Sequence, residues 1–166
     1  MTVTHGPLAQ EQDQHFLSLA ADLSRQGMEN GSGGPFGCVI VMDGKVVGRG
    51  WNQVTSTNDP TAHAEVVAIR DACRTLGRFD LRGATLYASC EPCPMCLASS
   101  LWARVDRIVF ANTRDEAASI GFDDALLYEQ VALPAEARII PCEHRPSQAA
   151  LAVFEAWKMK ADRIPY

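Results

Sequence analysis

The chain has 166 residues and a formal net charge of −5, and 47% of its residues are hydrophobic. This length and this apolar fraction predict one folded domain with its own core, and they exclude an intrinsically disordered chain. The acidic balance argues against a partner that presents phosphates, so we expect no nucleic-acid partner.

Targeting and membrane signals are missing from the sequence. The first residues, "MTVTHGPLAQEQDQHF", lack a basic region followed by an apolar run, and no stretch approaches 18 uninterrupted apolar residues. We therefore expect no membrane partner and a cytoplasmic location. Six cysteines in this setting predict free thiols or metal ligands and argue against a disulfide framework.

The first part of the chain predicts a helix, a β-hairpin and a second helix. Apolar residues recur at helical spacing between positions 16 and 28. "FGCVIVMDGKVVGRGWN" predicts a hairpin that turns at Asp43-Gly44, a dipeptide suited to a two-residue loop. After the polar loop "VTSTNDPT", a helix is predicted over about 62–76, with Pro60 and Thr61 as its start signals.

The second part continues the alternation of strands and helices. "ATLYASC" and "VDRIVFAN" predict strands on either side of the short helix "PMCLASSLWA". "RDEAASIG" and "DDALLYEQ" predict one or two helical turns each, "ARIIPC" a short last strand, and "SQAALAVFEAWKMKAD" a closing helix. This order predicts an α/β fold over residues 1–166, a three-layer α/β/α sandwich around a mixed five-stranded sheet.

Two short motifs lie at the predicted starts of consecutive helices. "HAE" occupies positions 63–65, and "CEPCPMC" occupies positions 90–96. The strand "ATLYASC" between them brings both helix starts to one edge of the sheet, where α/β proteins bind ligands. Pro94 suits the first position of a helix, which places Cys93 at the cap and Cys96 in the first turn. The positive end of the helix dipole there favours thiolates.

Imidazole and thiolate are zinc ligands, and a catalytic zinc keeps three protein ligands and one position for water. We therefore predict that His63, Cys93 and Cys96 hold one Zn²⁺ with a catalytic water. Cys90 falls at the end of the strand and is expected to pack beside the site. A redox dithiol or buried hydrophobic cysteines are the alternatives.

Glu65 is the predicted proton carrier. A zinc-bound water still needs a base for its proton and an acid for the leaving group, and Glu65 at a helix start reaches past the helix end. Its alternative role is a solvent-facing glutamate that complements the helix dipole. The order H-x-E and then P-C-x-x-C is typical of zinc deaminases, and it favours the catalytic role.

The chain resembles the cytidine-deaminase-like zinc hydrolases, and within them most closely the bacterial guanine deaminases. The resemblance is carried by "GGPFGCVIV", "NDPTAHAEVVAIR", "LYASCEPCPMCLASSLWAR", "GFDD" and the terminal Tyr166. "DPTAHAE" and "EPCPMC" are shared with the tRNA adenosine deaminases, so they identify the superfamily without the substrate. "GFDD", together with an aromatic C-terminus, favours guanine.

The resemblance implies hydrolysis of guanine to xanthine and ammonia, a step of purine catabolism or salvage. It implies that zinc hydroxide attacks C2 of the ring and that Glu65 protonates the ring nitrogen and the departing amine. It also implies that Asp124 assists the leaving amino group. From the residues alone, either Asp123 or Asp124 is a candidate helix cap, and which of the two takes which role stays open.

The resemblance further implies a set of substrate contacts. Phe36 stacks on the purine, Asn52 hydrogen-bonds its edge, and Tyr166 helps to close the pocket. The implied substrate-binding residues are Phe36, Asn52, Ala64, Trp102 and Tyr166. From the residues alone, a core role for Phe36 and a loop-ordering role for Asn52 remain open.

The implied assembly is a homodimer in which the C-terminal segment, about 147–166, crosses to the neighbouring subunit, with Trp102 near the shared surface. Three other functions remain open from the sequence. The first is a tRNA adenosine deaminase, and the second is a deaminase of cytosine, a triazine or another small amino-heterocycle. The third is a zinc-stabilised binding domain in which Cys90 supplies a fourth ligand.

Overall fold

A computed structural model describes residues 7–165 of the chain. Its elements are, in chain order, α1 (Pro7–Glu29), β1 (Gly37–Met42), β2 (Lys45–Trp51), α2 (Val54–Thr57), α3 (Ala64–Leu76), β3 (Ala84–Cys90), α4 (Pro94–Ala103), β4 (Arg107–Asn112), α5 (Arg114–Ser119), α6 (Ala125–Ala132), a 3₁₀ turn (Ala135–Ala137) and α7 (Gln148–Met159). The chain divides into two compact units, one ending at Leu127 and the other beginning at Tyr128. Within the described range, no helix is both long enough and apolar enough to span a membrane.

The predicted hairpin is confirmed. β1 and β2 are antiparallel, and the turn between them has positive φ at both central residues, 50° at Asp43 and 72° at Gly44. Positive φ at both positions is what a two-residue turn of matching twist requires, and glycine accepts it without strain.

The sheet has the strand order β2-β1-β3-β4. β1 pairs antiparallel with both β2 and β3, whereas β3 and β4 are parallel, so the sheet is mixed as predicted. It follows that β2, β3 and β4 run in the same direction and end at the same edge. Cleft-forming loops leave the sheet at this edge.

Helices cover both faces of this sheet in the first unit. On one face, Cys38 and Ile40 of β1 pack with alanines of α3, including Ala68. On the other face, Val39 of β1 packs with Phe16 of α1. Alternate strand residues therefore enter different cores, which gives the predicted three layers.

The predicted fifth strand is wrong, because the described sheet has four strands. Residues 138–142 form bends and irregular chain. The Ile139 N–H donates to the Gln130 side chain at 2.7 Å, and Pro141 has no N–H to donate to a ladder. The apolar pair Ile139-Ile140 suggested a strand, but the N–H of Ile139 is engaged by Gln130 and Pro141 offers none.

Two boundaries near the first motif also differ from the prediction. The polar loop contains the single turn α2, and α3 begins at Ala64, with His63 as its N-cap. Pro60 and Thr61 therefore precede the cap in a turn of their own, where Asp59 Oδ1 accepts hydrogen bonds from the N–H and hydroxyl of Thr61. The two-residue shift moves His63 from the first turn of the helix to its N-cap.

Two glycines of β2 allow α3 to lie directly on the strand. A Cβ at Gly50 would be 2.2 Å from the carbonyl oxygen of Ala64, and one at Gly48 would be 2.5 Å from that of Ala68. Any side chain at either position would push α3 away. This close approach fixes the start of α3, and therefore His63, next to the end of β2.

Candidate active site

The two motifs meet at the edge where β2, β3 and β4 end. His63 is the N-cap of α3, and Cys93 is the N-cap of α4, both with extended backbone. Pro94 occupies the first turn of α4, as predicted, and Cys96 follows in the same turn. Because both cap residues lie just outside their helices, their side chains project past the helix ends.

The structure brings the three predicted metal ligands together. His63 Nδ1 lies 3.7 Å from Cys93 Sγ and 3.5 Å from Cys96 Sγ, and all three ligand atoms lie within 4.8 Å of one another. A tetrahedral zinc with Zn–N of about 2.0 Å and Zn–S of about 2.3 Å would separate nitrogen from sulfur by about 3.5 Å. The donor set and its spacing therefore fit zinc.

The electrostatics of this group favour one thiolate. The pKa of Cys93 falls to about 4, because Cys96 and then His63 hydrogen-bond its sulfur. The pKa of Cys96 is raised, because its bond to Cys93 and its burial favour the neutral thiol. The hydrogen bond to Cys93 raises the pKa of His63. These three groups therefore compete for protons, and a cation bound between them would displace protons from the thiols.

Glu65 lies in the first turn of α3 and is only 7% exposed. Burial raises the pKa of its carboxyl group, which keeps the proton more readily than an exposed glutamate. The solvent-facing alternative for Glu65 is therefore wrong. A buried carboxyl with a raised pKa is suited to taking up and releasing a proton.

A cleft of about 360 Å³ opens beside these residues. It is lined by Gly34, Phe36, Asn52, Val54, Thr55, Pro60, His63, Glu65, Cys90, Glu91, Cys93, Arg114, Ala117, Phe122, Asp123, Asp124 and Leu127. Four of the lining side chains are carboxylates, whereas Arg114 is the only arginine or lysine in this set. This charge balance does not suit a polyanionic ligand.

Asn52 follows the end of β2 and is buried. Its Oδ1 accepts hydrogen bonds from the N–H of Gly34 at 3.3 Å and of Val54 at 3.2 Å. The Asn52 side chain therefore orders two loops, which is the loop-ordering role left open by the sequence. Because Oδ1 is occupied by backbone donors, the amide group Nδ2 is the part of Asn52 with which it can address a ligand.

The two aspartates of "GFDD" have separate surroundings. Asp123 Oδ1 accepts a hydrogen bond from the Ala125 N–H at 2.9 Å, at the start of α6. The pKa of Asp124 is raised, first by burial and then by the negative charge of Cys93. Asp123 thus acts at the helix start, while Asp124 responds to the charge of the ligand group.

Cys90 and Glu91 lie beside the ligand group without belonging to it. The Cys90 thiol donates to the Thr113 carbonyl oxygen at 3.6 Å, and burial raises its pKa to about 11. Glu91 accepts a hydrogen bond from the Arg114 N–H at 3.1 Å. Both residues therefore connect the end of β3 to the loop after β4.

Three of the predicted substrate residues are not among those that the structure shows lining the cleft. Of the described residues, those that line the cleft do not include Ala64, which is 1% exposed, or Trp102, which is 67% exposed on α4. Tyr166 lies outside the described residues. Sequence reasoning had missed Phe122 as a cleft residue, although it stands within "GFDD", next to the aspartates that were selected.

Comparison with known proteins identifies the family. Residues 10–112 match the cytidine and deoxycytidylate deaminase zinc-binding region. The chain belongs to this deaminase family. The predicted family and its zinc cofactor are confirmed, and the ligand group described above lies within the matched residues.

Two kinds of relative share this family fold. The guanine deaminase of Bacillus subtilis is 47% identical over 151 residues, which is 91% of this chain and 97% of the relative. A crystal structure of guanine deaminase from that organism has a TM-score of 0.89 and 46% identity, and the match covers 92% of this chain and 98% of that one. The tRNA-specific adenosine deaminase of Buchnera aphidicola is 39% identical over 98 residues, which is 59% of this chain and 64% of the relative. The resemblance to bacterial guanine deaminases is confirmed.

Proposed function

We propose that the protein is a guanine deaminase, which converts guanine and water to xanthine and ammonia. The observation that carries this proposal is one cleft lined by His63 and Cys93 of the zinc-ligand group, a buried glutamate, two phenylalanines and an acidic loop. The similarity to a guanine deaminase over 91% of the chain supports it, because this similarity extends beyond residue 112, where the family match ends.

His63, Cys93 and Cys96 are the proposed zinc ligands. Their three donor atoms converge, whereas Cys90 is bonded to a carbonyl oxygen outside the group. Zinc bound there supplies a Lewis acid that lowers the pKa of a water molecule to about 7. Three protein ligands leave a position for that water, which a zinc-stabilised binding domain with four ligands would not do.

Glu65 is the proposed proton carrier. Hydrolysis forms a bond between C2 of guanine and oxygen and breaks the bond between C2 and the exocyclic nitrogen. The Glu65 carboxylate takes one proton from water and gives it to the ring nitrogen. It then takes the second proton from the new C2 hydroxyl group, which becomes the carbonyl group of xanthine, and gives it to the amine, which leaves as ammonia. Burial raises the pKa of Glu65, which favours uptake of each proton before the carboxyl group gives it up again.

Phe36 and Asn52 are the proposed contacts to the purine. Phe36 offers an aromatic face on which a flat base can stack. Asn52 directs Nδ2 toward an acceptor of the base edge, because its oxygen is held by Gly34 and Val54. The prediction had both the oxygen and the NH₂ group of Asn52 contact the base, and we now propose the NH₂ group alone.

Asp124 is the proposed acceptor for the amino group that leaves. Its position in the cleft and its electrostatic interaction with Cys93 support this role. Asp123 is engaged by the start of α6. We therefore assign the catalytic role to Asp124 and the structural role to Asp123.

The proposed assembly is a homodimer with exchanged C-terminal segments. α7 presents the large apolar side chains of Leu151, Phe154 and Trp157, each more than half exposed or nearly so. Helices with such faces need a covering surface. Substrate contacts from Ala64, Trp102 and Tyr166 remain predictions. A reducing, cytoplasmic location suits the free thiols of all six cysteines.

A substrate panel tests the proposal. Ammonia release is measured with guanine, guanosine, cytosine, adenine and tRNA, on protein of known zinc content. We expect turnover of guanine and little or none of the others. Turnover of adenosine in tRNA without turnover of guanine would assign the tRNA-editing function instead.

A further inference from the structure

The loop after α5 brings a second aromatic ring into the cleft. The rings of Phe122 and Phe36 have centroids 4.9 Å apart and planes at 90°, an edge-to-face pair. This geometry is one of the favoured arrangements of two aromatic rings. Phe36 is therefore held from the side by Phe122, a residue from a distant part of the chain.

The backbone directs Phe122 to this position. A capping box between Thr113 and Glu116 fixes the start of α5. The Phe122 N–H closes the end of this helix by donating to the Ala117 carbonyl oxygen at 3.0 Å. Gly121, with a φ of 95°, makes the reversal that a residue with a side chain would resist. The ring is thus aimed by a helix end, although the loop itself is on the surface.

Gly34 lies where the two rings converge. A Cβ at this position would be 2.9 Å from Cζ of Phe122 and 3.1 Å from Cε2 of Phe36. Gly34 does not have a positive φ, so its backbone accepts other residues. A methyl group there would displace the rings before it disturbed the fold, because the contacted atoms are the far ends of side chains.

We propose that Phe122 is a positioning and specificity residue, which holds Phe36 in the orientation that stacks on a purine. This inference rests on the proposed function and adds a residue to it. A two-ring base covers more of an aromatic face than a one-ring base, so a misaligned Phe36 costs guanine more than a small amino-heterocycle. Phe122 acts through Phe36, so its loss affects binding more than the chemical step.

Four variants test this role. For Phe122→Leu, we expect KM for guanine to rise about three- to tenfold, the range set by one aromatic pair, with kcat changed less than twofold. For Phe122→Tyr, which keeps the aromatic ring, we expect KM for guanine to stay within about twofold of the wild-type value. Gly34→Ala should raise KM in the same direction. Ile120→Ala is the matched control, since Ile120 is in the same loop and exposed, and it should leave KM unchanged.

Zinc content and the melting temperature are measured on every variant, so that a folding defect is recognised. An unchanged KM in both Phe122→Leu and Gly34→Ala, with the wild type turning over guanine, overturns the role of Phe122 alone. An equal loss in Phe122→Tyr and Phe122→Leu also overturns it. A wild-type protein that releases no ammonia from guanine overturns the proposed function and this inference with it.

Discussion

Two groups of polar side chains in the first unit differ in how their charges are satisfied. In the Asp13 cluster, formed by Asp13, Tyr87 and Arg107, Arg107 donates to both oxygens of Asp13 at 2.8 and 2.6 Å. The Tyr87 hydroxyl donates to the same carboxylate at 2.8 Å. In the zinc-ligand group, three electron-pair donors converge within 4.8 Å.

The difference separates a structural cluster from a functional one. The Asp13 cluster joins α1 to β3 and β4 and balances a carboxylate against a guanidinium, so its burial is compensated within the chain. The convergent donors of the zinc-ligand group are compensated by a cation. Perturbed pKa values occur in both groups. What distinguishes them is whether the chain itself supplies the opposite charge, as Arg107 does for Asp13, or leaves a place for a bound cation.

Among substitutions in these two groups and beside them, we expect the largest loss of activity at Glu65. Glu65→Gln keeps the size and hydrogen-bonding capacity of the side chain but removes its proton-carrying function. We expect turnover of guanine to fall by about 10³-fold, within the range for a lost general acid–base, while zinc content stays at the wild-type value. Steady-state ammonia release and metal analysis on the same sample measure both.

Glu91→Gln is the control for this substitution. Glu91 also lines the cleft, but its carboxylate accepts a hydrogen bond from the Arg114 backbone. We expect activity within a few-fold of the wild type. Equal losses in the two variants would show that charge in the cleft, and not proton transfer by Glu65, limits the reaction.

An intermediate effect on stability is expected at the Asp13 cluster. Asp13→Asn leaves the partly buried Arg107 without its counter-charge, so the free energy of unfolding should fall by about 2 kcal/mol. Because none of the three residues of this cluster is among those that line the cleft, kcat measured below the melting temperature should stay unchanged. Urea unfolding measures the loss.

Arg82→Gln is the matched control for the ion pair. Arg82 pairs with Asp80 at 2.6 Å, but its side chain is mostly exposed. Exposed pairs contribute little to stability, so the change in the free energy of unfolding should be small. A loss in Asp13→Asn no larger than in Arg82→Gln would contradict the structural role of the Asp13 cluster.

The smallest effect appears only at alkaline pH. Burial, followed by the hydrogen bond to Asp13, raises the pKa of Tyr87 to about 12. This pKa lies above the value of about 10 in the unfolded chain. The protonated Tyr87 hydroxyl therefore contributes its full share to the free energy of unfolding below pH 10, and this share is lost as the pH rises toward 12. Between pH 9 and pH 11.5, wild type should lose about 2 kcal/mol more than Tyr87→Phe. Parallel stability curves for the two proteins would show that Tyr87 does not titrate as described.

The sequence predicts best where one local rule determines the geometry. Asp43-Gly44 required a hairpin turn, and Pro94 required a helix start, so the hairpin and the Cys93–Cys96 arrangement were predicted correctly. The strand predicted at 137–142 is absent because apolar composition does not show whether backbone donors have a ladder partner.

The cleft itself was predicted only in part. His63, Cys93, Cys96 and Glu65 share a motif with recognisable spacing, and the structure brings them together. Phe122 belongs to no spacing rule, since its position depends on the reversal at Gly121 and on space beside Gly34. Long-range contacts of this kind become visible only when the loops are placed in three dimensions.

The central claim is that one zinc ion is held by an imidazole and two thiolates, with one position left for water beside Glu65. X-ray absorption at the zinc edge of the zinc-loaded protein tests it most directly, because sulfur and lighter ligands lie at different distances, about 2.3 and about 2.0 Å. We predict two sulfur and two nitrogen or oxygen ligands. A shell of three sulfurs would place Cys90 on the metal, close the site, and contradict the proposed chemistry.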